Sequence, residues 1–336
     1  MRNSKLLAIL TIVSLGTTLT ACSSSSKDTN KAESNTKKLK VVATTTQICD
    51  YTKEIAKDKV DLTCLLAPNA SAHELELTAS QMKALEKADL LLKNGVNLEA
   101  FLNQAIKASG FKGKVVETSK NVKLNKWTFP GENGQAPEFE NDPHIWTSPL
   151  NAKTQVENVV TGLSSADSRN AKFFKENGTS YTQSIDELDK WAEKSINSIP
   201  ENQRILFTSH DAFGYFSQRY KIQFLGSAIP DFSDLGEATA QHLKEVAQKI
   251  KDSGAKVIFA ENSNSDKNIK TLARETKVKV ASEHDAMYGD SLGPKGSSGE
   301  TYIGSIIHNV KSFVKNTGGK IADLPKLLKK YDKNKK

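Results

Sequence analysis

His73, His144, His210 and Asp290 are the residues of this chain whose types suit holding a metal ion. They lie in "NASAHELE", "NDPHIW", "FTSHDAF" and "MYGDSLG" respectively. The chain has only six histidines. Imidazole nitrogens suit a first-row divalent cation, and three of them with one carboxylate complete a tetrahedron around zinc. No two of the four share a helical turn, so spacing alone does not define a site, and a single histidine near a turn is most often structural. His284, on the same stretch as Asp290, competes as a ligand. His242 in "TAQHLKEV" and His308 in "GSIIHNVKSF" fall mid-helix and read as packing or solvent-facing. The glycines of "GPKGSSGET" lack the Gly-Lys-Ser/Thr ending of a phosphate loop and are expected to supply turns. A zinc-dependent hydrolase would use the same ligand types, but it needs an open coordination position and a nearby base. The chain has no His-Glu-x-x-His helix, and Asp290 would fill the fourth position. The reading is a binding protein, not an enzyme.

The elements that must position these residues alternate. "LKVVATTT" is a short β-branched strand, "QICDYTKEIAKD" a helix, "KVDLTCLLAP" a strand, "TASQMKALEKAD" a helix with a threonine cap, and "LLLKNG" a strand. The second half repeats the pattern: strands in "RILFTS", "IQFLGS", "KVIFAE" and "VKVAS", with helices in "DAFGYFSQRY" (opened by Asp211), "TAQHLKEVAQKIKDSG" and "NIKTLARETK". A last helix is expected at about residues 297–318. Such alternation indicates parallel sheets flanked by helices, and the length suits two α/β domains. Between them, Phe173, Phe174, Tyr181, Ile185, Leu188 and Trp191 recur at helical spacing across residues 168–198, with Gly178 weakening the middle. A helix of that length spans two domains as a rigid strut. Open parallel sheets take ligands beyond the carboxyl ends of their strands. With two candidate ligands from each half, the site is expected in the interdomain cleft. Asp142, Asp211 and Glu261 are candidates to hold the outward nitrogens of the histidines.

The chain ends address compartment and partners. Residues 1–21 carry a basic start and a short apolar run, a secretory signal too short to span a bilayer convincingly. The serine- and lysine-rich stretch that follows Cys22, to residue 38, lacks the apolar surface to fold and reads as a disordered tether. This leaves an N-terminal domain at 39–167, the linker helix at 168–198, a C-terminal domain at 199–325 and a basic tail at 326–336. The formal net charge is +8, but signal, tether and tail carry more than all of it, leaving the body slightly acidic. That excludes the basic face of a nucleic-acid binder. Cys49 and Cys64 are a disulfide candidate in an exported chain; two buried thiols, or thiolate ligands for a metal, are the other readings.

Leu19-Thr20-Ala21-Cys22 resembles the lipobox of bacterial lipoproteins. With "VVATTT", "LLAPNASAHELELTASQMKALEKADLLLKNGVNLE", "NDPHIWTSPLNA", "TSHDAFGYFSQRY" and "YGDSLGPKGSSGETY", it makes nearly the whole mature chain similar to the solute-binding lipoproteins of bacterial ABC importers for zinc or manganese. The resemblance implies two α/β domains joined by a rigid helix and one metal in the cleft. His73 and His144 would come from the first domain, His210 and Asp290 from the second. It also implies a lipid on Cys22, a place on the outer face of the cytoplasmic membrane, and a membrane permease with its cytoplasmic ATPase as partners of a monomer. Many zinc members carry a histidine-rich loop; here "NVKLNKWTFPGENGQAPEFEN" has no histidine. Manganese members often have a carboxylate third ligand, so His210 moves the expectation to Zn²⁺, while Asp290 keeps Mn²⁺ open.

Overall fold

The short β-branched run near the start of the body becomes β1 (Leu39–Ala43), the inner strand on which the first lobe is built. It pairs in parallel with β2 (Val60–Cys64) on one side and with β3 (Leu90–Lys93) on the other; β4 (Lys114–Glu117) closes the sheet in the order β2-β1-β3-β4. The computed structural model describes residues 37–73, 76–100, 102–126, 140–229 and 238–333. The expected signal, Cys22 and nearly all of the tether lie outside the described residues, as do 127–139 of the histidine-free stretch and the last three residues of the tail.

Local chemistry sets the helix starts. Thr45 caps α1 (Thr46–Ala56), its hydroxyl accepting from Ile48 N at 3.3 Å. Thr78 and Gln81 form a reciprocal capping box on α2 (Ala79–Glu86), and Gln81 Nε2 also donates to Leu65 O at 2.7 Å. The first lobe adds α3 (Leu102–Ser109) and α4 (Pro149–Ala166), neither of which the strand–helix reading anticipated, nor did it anticipate β4. The connecting helix is α5 (Ala171–Ile196), preceded by a 3-10 turn at Ser168–Asn170. Its 26 residues make it about 39 Å long at about 1.5 Å per residue.

The second lobe holds two parallel pairs. β5 (Ile205–Thr208) pairs with β6 (Gln223–Ser227), and β7 (Val257–Phe259) pairs with β8 (Lys279–Ala281), with β5 alongside β7. Its helices are α6 (Gly214–Tyr220), α7 (Ala240–Ser253), α8 (Lys267–Thr276) and α9 (Tyr302–Thr317). Two helix starts differ from the sequence reading. α6 begins at Gly214 and not at Asp211, because Thr208 Oγ1 donates to His210 O at 2.8 Å and holds the residues before it in a turn. α9 begins at Tyr302, capped by Thr301, so the residues from 297 form turns ahead of it. The fold is α/β with two lobes, each with parallel strands flanked by helices, joined by helices.

Candidate metal centre

Each of the four expected ligands lies in a loop beyond its sheet. His73 follows β2, His144 lies between β4 and α4, His210 follows β5, and Asp290 follows β8. The first two come from one lobe and the last two from the other, and their ligand atoms lie within 4.8 Å of one another. His144 opens a 3-10 turn at Ile145–Thr147. Asp142 Oδ1 sets its direction, accepting both from His144 N at 2.9 Å and, at 2.8 Å, from Nδ1. Tyr215 from α6 donates to Asp142 O at 2.8 Å, tying this loop to the second lobe.

Nε2 of each imidazole turns inward. His73 Nε2 is 3.1 Å from His144 Nε2, and Asp290 Oδ1 is 3.4 Å from His144 Nε2 and 3.0 Å from His210 Nε2. Among the described residues Asp290 Oδ2 accepts no hydrogen bond, and it lies 3.7 Å from His73 Nε2. With Nδ1 of His144 donating to Asp142, its Nε2 faces a second ring nitrogen, a contact that calls for a proton or a cation between them. A zinc–nitrogen bond of about 2.0–2.1 Å places tetrahedral ligands about 3.3 Å apart. The observed separations of 3.0 to 3.7 Å fit a first-row ion among these atoms.

The centre is closed to solvent: the side chains of His144, His210 and Asp290 are fully buried, and that of His73 is 3 % exposed. Burial alone would lower every imidazole, and it holds His73 down at about 3 despite Asp290. In His144 the same burial is outweighed by hydrogen bonds to Asp142 and Asp290, which hold it up at about 9. For His210, burial is again outweighed, here by the charges of Asp290 and Glu261, which raise it well above the ordinary histidine range. Burial opposes ionisation of Asp290, yet the surrounding imidazoles, His210 first, keep its carboxyl well below the usual range.

Two of the three expected supports are in place. Asp142 holds His144, and Glu261 lies at His210, with Oε1 accepting from His210 N at 2.9 Å and Oε2 2.7 Å from Nδ1. Asp211, the third, makes no hydrogen bond to an imidazole among the described residues. Gly289 lets this corner close, since a Cβ there would overlap Glu261 Oε2. The competing ligand His284 sits on an exposed 3-10 turn, Glu283–Asp285, outside the cluster. His242 sits in the first turn of α7, not mid-helix, with Nε2 at Ser227 O, and His308 of α9 contacts Ser298 and Ala286; neither joins the cluster.

Sequence reasoning missed the groups that cross the cleft to hold the Asp290 loop. Gln47 Nε2 donates to Asp290 O at 3.1 Å, Trp146 Nε1 to Gly289 O at 2.9 Å, and Leu292 N to Thr46 Oγ1 at 2.8 Å. The one available signal was the polar run Thr44–Gln47 directly after an apolar strand, at the ligand-binding edge of a sheet. Cys49 of α1 and Cys64 of β2 lie with their Cα atoms 5.8 Å apart, a separation that a disulfide spans.

Residues 41–316 match the family described as "Zinc-uptake complex component A periplasmic". The chain is 31% identical over 300 residues to the manganese ABC transporter substrate-binding lipoprotein PsaA of Streptococcus pneumoniae, covering 87% of this chain and 92% of that protein. It is 30% identical over 300 residues to the manganese-binding lipoprotein MntA of Bacillus subtilis, covering 88% and 94%. Among solved structures, the periplasmic zinc-binding protein TroA of Treponema pallidum superposes with a TM-score of 0.74 at 29% identity, covering 84% of this chain and 99% of that one. A manganese-bound mutant of a periplasmic metal-binding protein of Candidatus Liberibacter asiaticus gives 0.73 at 26%, covering 83% and 99%. With His73, His144, His210 and Asp290 gathered between two α/β lobes, the chain belongs to this family of extracytoplasmic metal-binding, non-catalytic solute-binding proteins of ABC importers.

Proposed function

We propose that the cargo is Mn²⁺, held by His73, His144, His210 and Asp290 and delivered to a membrane permease powered by a cytoplasmic ATPase. The observation that carries this reading is the carboxylate of Asp290: Oδ1 faces two imidazole nitrogens and Oδ2 faces the third. It can therefore offer two oxygens with three nitrogens, a harder and larger donor set than tetrahedral zinc requires. The similarity to manganese-binding lipoproteins points the same way. This moves the cargo away from the Zn²⁺ expected on the basis of His210. Zinc is the second reading, favoured by the three imidazoles and by the similarity to the zinc-binding TroA structure.

Affinity alone does not decide between them. Almost any nitrogen–oxygen site binds Zn²⁺ more tightly than Mn²⁺, so selection in cells rests on geometry and availability. The deciding experiment is uptake of labelled Mn²⁺ and Zn²⁺ by cells with and without this chain, beside the metal content of the mildly purified protein. Loss of Mn²⁺ uptake alone supports the proposal; loss of Zn²⁺ uptake alone reverses the metal. The same proposal places a lipid on Cys22, holding a monomer at the outer face of the cytoplasmic membrane. Cys22→Ala then shifts the protein from the membrane fraction to the soluble one.

A further inference from the structure

The backbone after β3 is left-handed at three successive residues, with φ of 85° at Gly95, 54° at Val96 and 61° at Asn97. Glycine and asparagine tolerate this region, but a β-branched valine there is an outlier that surrounding contacts must impose. The turn brings the N–H groups of Asn94 and Gly95 onto the carboxylate of Glu99, at 2.6 and 3.0 Å. Thr44, at the end of β1, donates its hydroxyl to the same carboxylate at 2.6 Å. Glu99 is buried in the crevice between the carboxyl ends of β1 and β3. The strand order of the first lobe reverses there, at the point where open sheets ordinarily take a ligand. In this lobe the crevice is filled by the chain's own anion.

From Glu99 a chain of contacts leads to the metal centre. Asn94, its backbone fixed by Glu99, donates from Nδ2 to Pro143 O at 3.0 Å, one residue before His144. Asn94 Oδ1 is held in turn by Gln155 of α4 at 2.9 Å, and Gln155 also donates to Thr118 Oγ1 at 3.0 Å. All of these side chains are buried, so the network has no solvent to substitute for a lost partner.

We propose that Glu99 is a positioning residue for metal capture, fixing Asn94 so that it holds the Pro143–His144 segment with His144 aimed at the cargo. This rests on the reading of His144 as a ligand. The test is a double-mutant cycle in the full body, reading Mn²⁺ and Zn²⁺ dissociation constants by competition with a chromogenic chelator. Glu99→Gln keeps the size of the side chain but turns an amide N–H₂ toward groups that donate. It is expected to weaken binding about 10- to 100-fold, the usual effect of losing a supporting partner of a ligand. In a His144→Ala background the same change is expected to cost less than about 3-fold, because the group it positions is gone. An equal loss in both backgrounds, or none in the parent, overturns the proposal. An unchanged affinity in His144→Ala alone overturns instead the reading of His144 as a ligand. Should Glu99→Gln fail to fold by circular dichroism, Asn94→Ala takes its place in the cycle. That change removes the link to Pro143 while both backbone donors to Glu99 remain.

Discussion

His210 has an acidic group on each side of its ring, Asp290 at Nε2 and Glu261 at Nδ1. Replacing it with alanine removes one cargo ligand and leaves two buried carboxylates without their shared imidazole. His210→Ala is expected to lose at least about 100-fold in metal affinity, on the order of the effects known for metal-site ligands and their supports. Its secondary structure by circular dichroism should be retained, and an unchanged titration would remove His210 from the ligand set. Protonation gives a second prediction. At pH 7 the metal-free centre keeps protons on His144, held at about 9, and on the raised His210, while His73, at about 3, is neutral and Asp290 ionised. A metal ion must displace those protons, so binding should release about two protons and weaken roughly 100-fold per pH unit as pH falls. Calorimetry in buffers of different ionisation heat measures that number, and release of none would contradict this charge arrangement. The four central residues could be singled out by type, and His73, His210 and Asp290 by their place after strands; His144 follows no strand that the sequence pattern reveals, and the family resemblance is what joins it to the others. Their supports were only partly legible. Glu261 and Asp142 could be named as acidic residues near loops, whereas Gln47 and Trp146 act across the cleft, where no periodicity registers them. His284 could not be dismissed from sequence, because proximity along the chain to Asp290 does not reveal that its turn faces water.

Gly178 shows how an element can mislead at the level of propensity. In the sequence it weakens a long helix, since glycine in a helix interior costs about 1 kcal/mol relative to alanine. In the structure α5 continues through it, and the position lies against Val160 of α4, where a Cβ would overlap Val160 Cγ2. The missing side chain is what lets α4 and α5 approach. Gly178→Ala is therefore expected to destabilise by about 1–3 kcal/mol through overpacking, against its gain in helix propensity. Adding Val160→Ala should recover part of the loss in thermal or denaturant unfolding. A stabilised Gly178→Ala single variant would show that propensity governs this position. The unanticipated elements have their own reasons. β4 is an edge strand with three of its four residues exposed, so it lacks an apolar pattern. α3 is only eight residues long, and α4 buries polar Gln155 for the network around Asn94, which blurs its apolar stripe. β3 and β5 read clearly because they are buried on both faces and so appear as apolar runs.

The two lobes are joined not only through the connecting helix but also by a buried tie near its middle. Asp50 of α1 accepts from Tyr302 N, the first residue of α9, at 2.9 Å, and from the Tyr181 hydroxyl of α5 at 3.1 Å. One carboxylate thus joins a helix of each lobe to the helix between them, and the tyrosines stack around it, Tyr51 lying edge-on to Tyr302. Burial raises its carboxyl to about 7, outweighing the Tyr302 N–H, which favours the charged form; Glu54 adds to the rise, while the Tyr181 hydroxyl and Lys53 oppose it. The unfolded chain holds this group at its ordinary value of 3.8. Between those two values the folded state therefore binds the extra proton. By linkage, this group's contribution to stability rises as pH falls from about 7 toward 4 and is lost as pH rises through 7. That sign is opposite to the usual behaviour of a salt-bridged aspartate. Asp50→Asn keeps an oxygen to accept from Tyr302 and Tyr181 but carries no charge to bury. At pH 8 it should be more stable than the parent, on the order of a few kcal/mol at most, with the difference shrinking as pH approaches 5. Denaturant unfolding of both metal-free proteins across that range isolates the group from other titrating residues, since only the difference between the two curves matters. If Asp50→Asn is less stable at every pH, the charge itself holds the lobes together, and the tie is an ionised cap on α9 and not a buried acid.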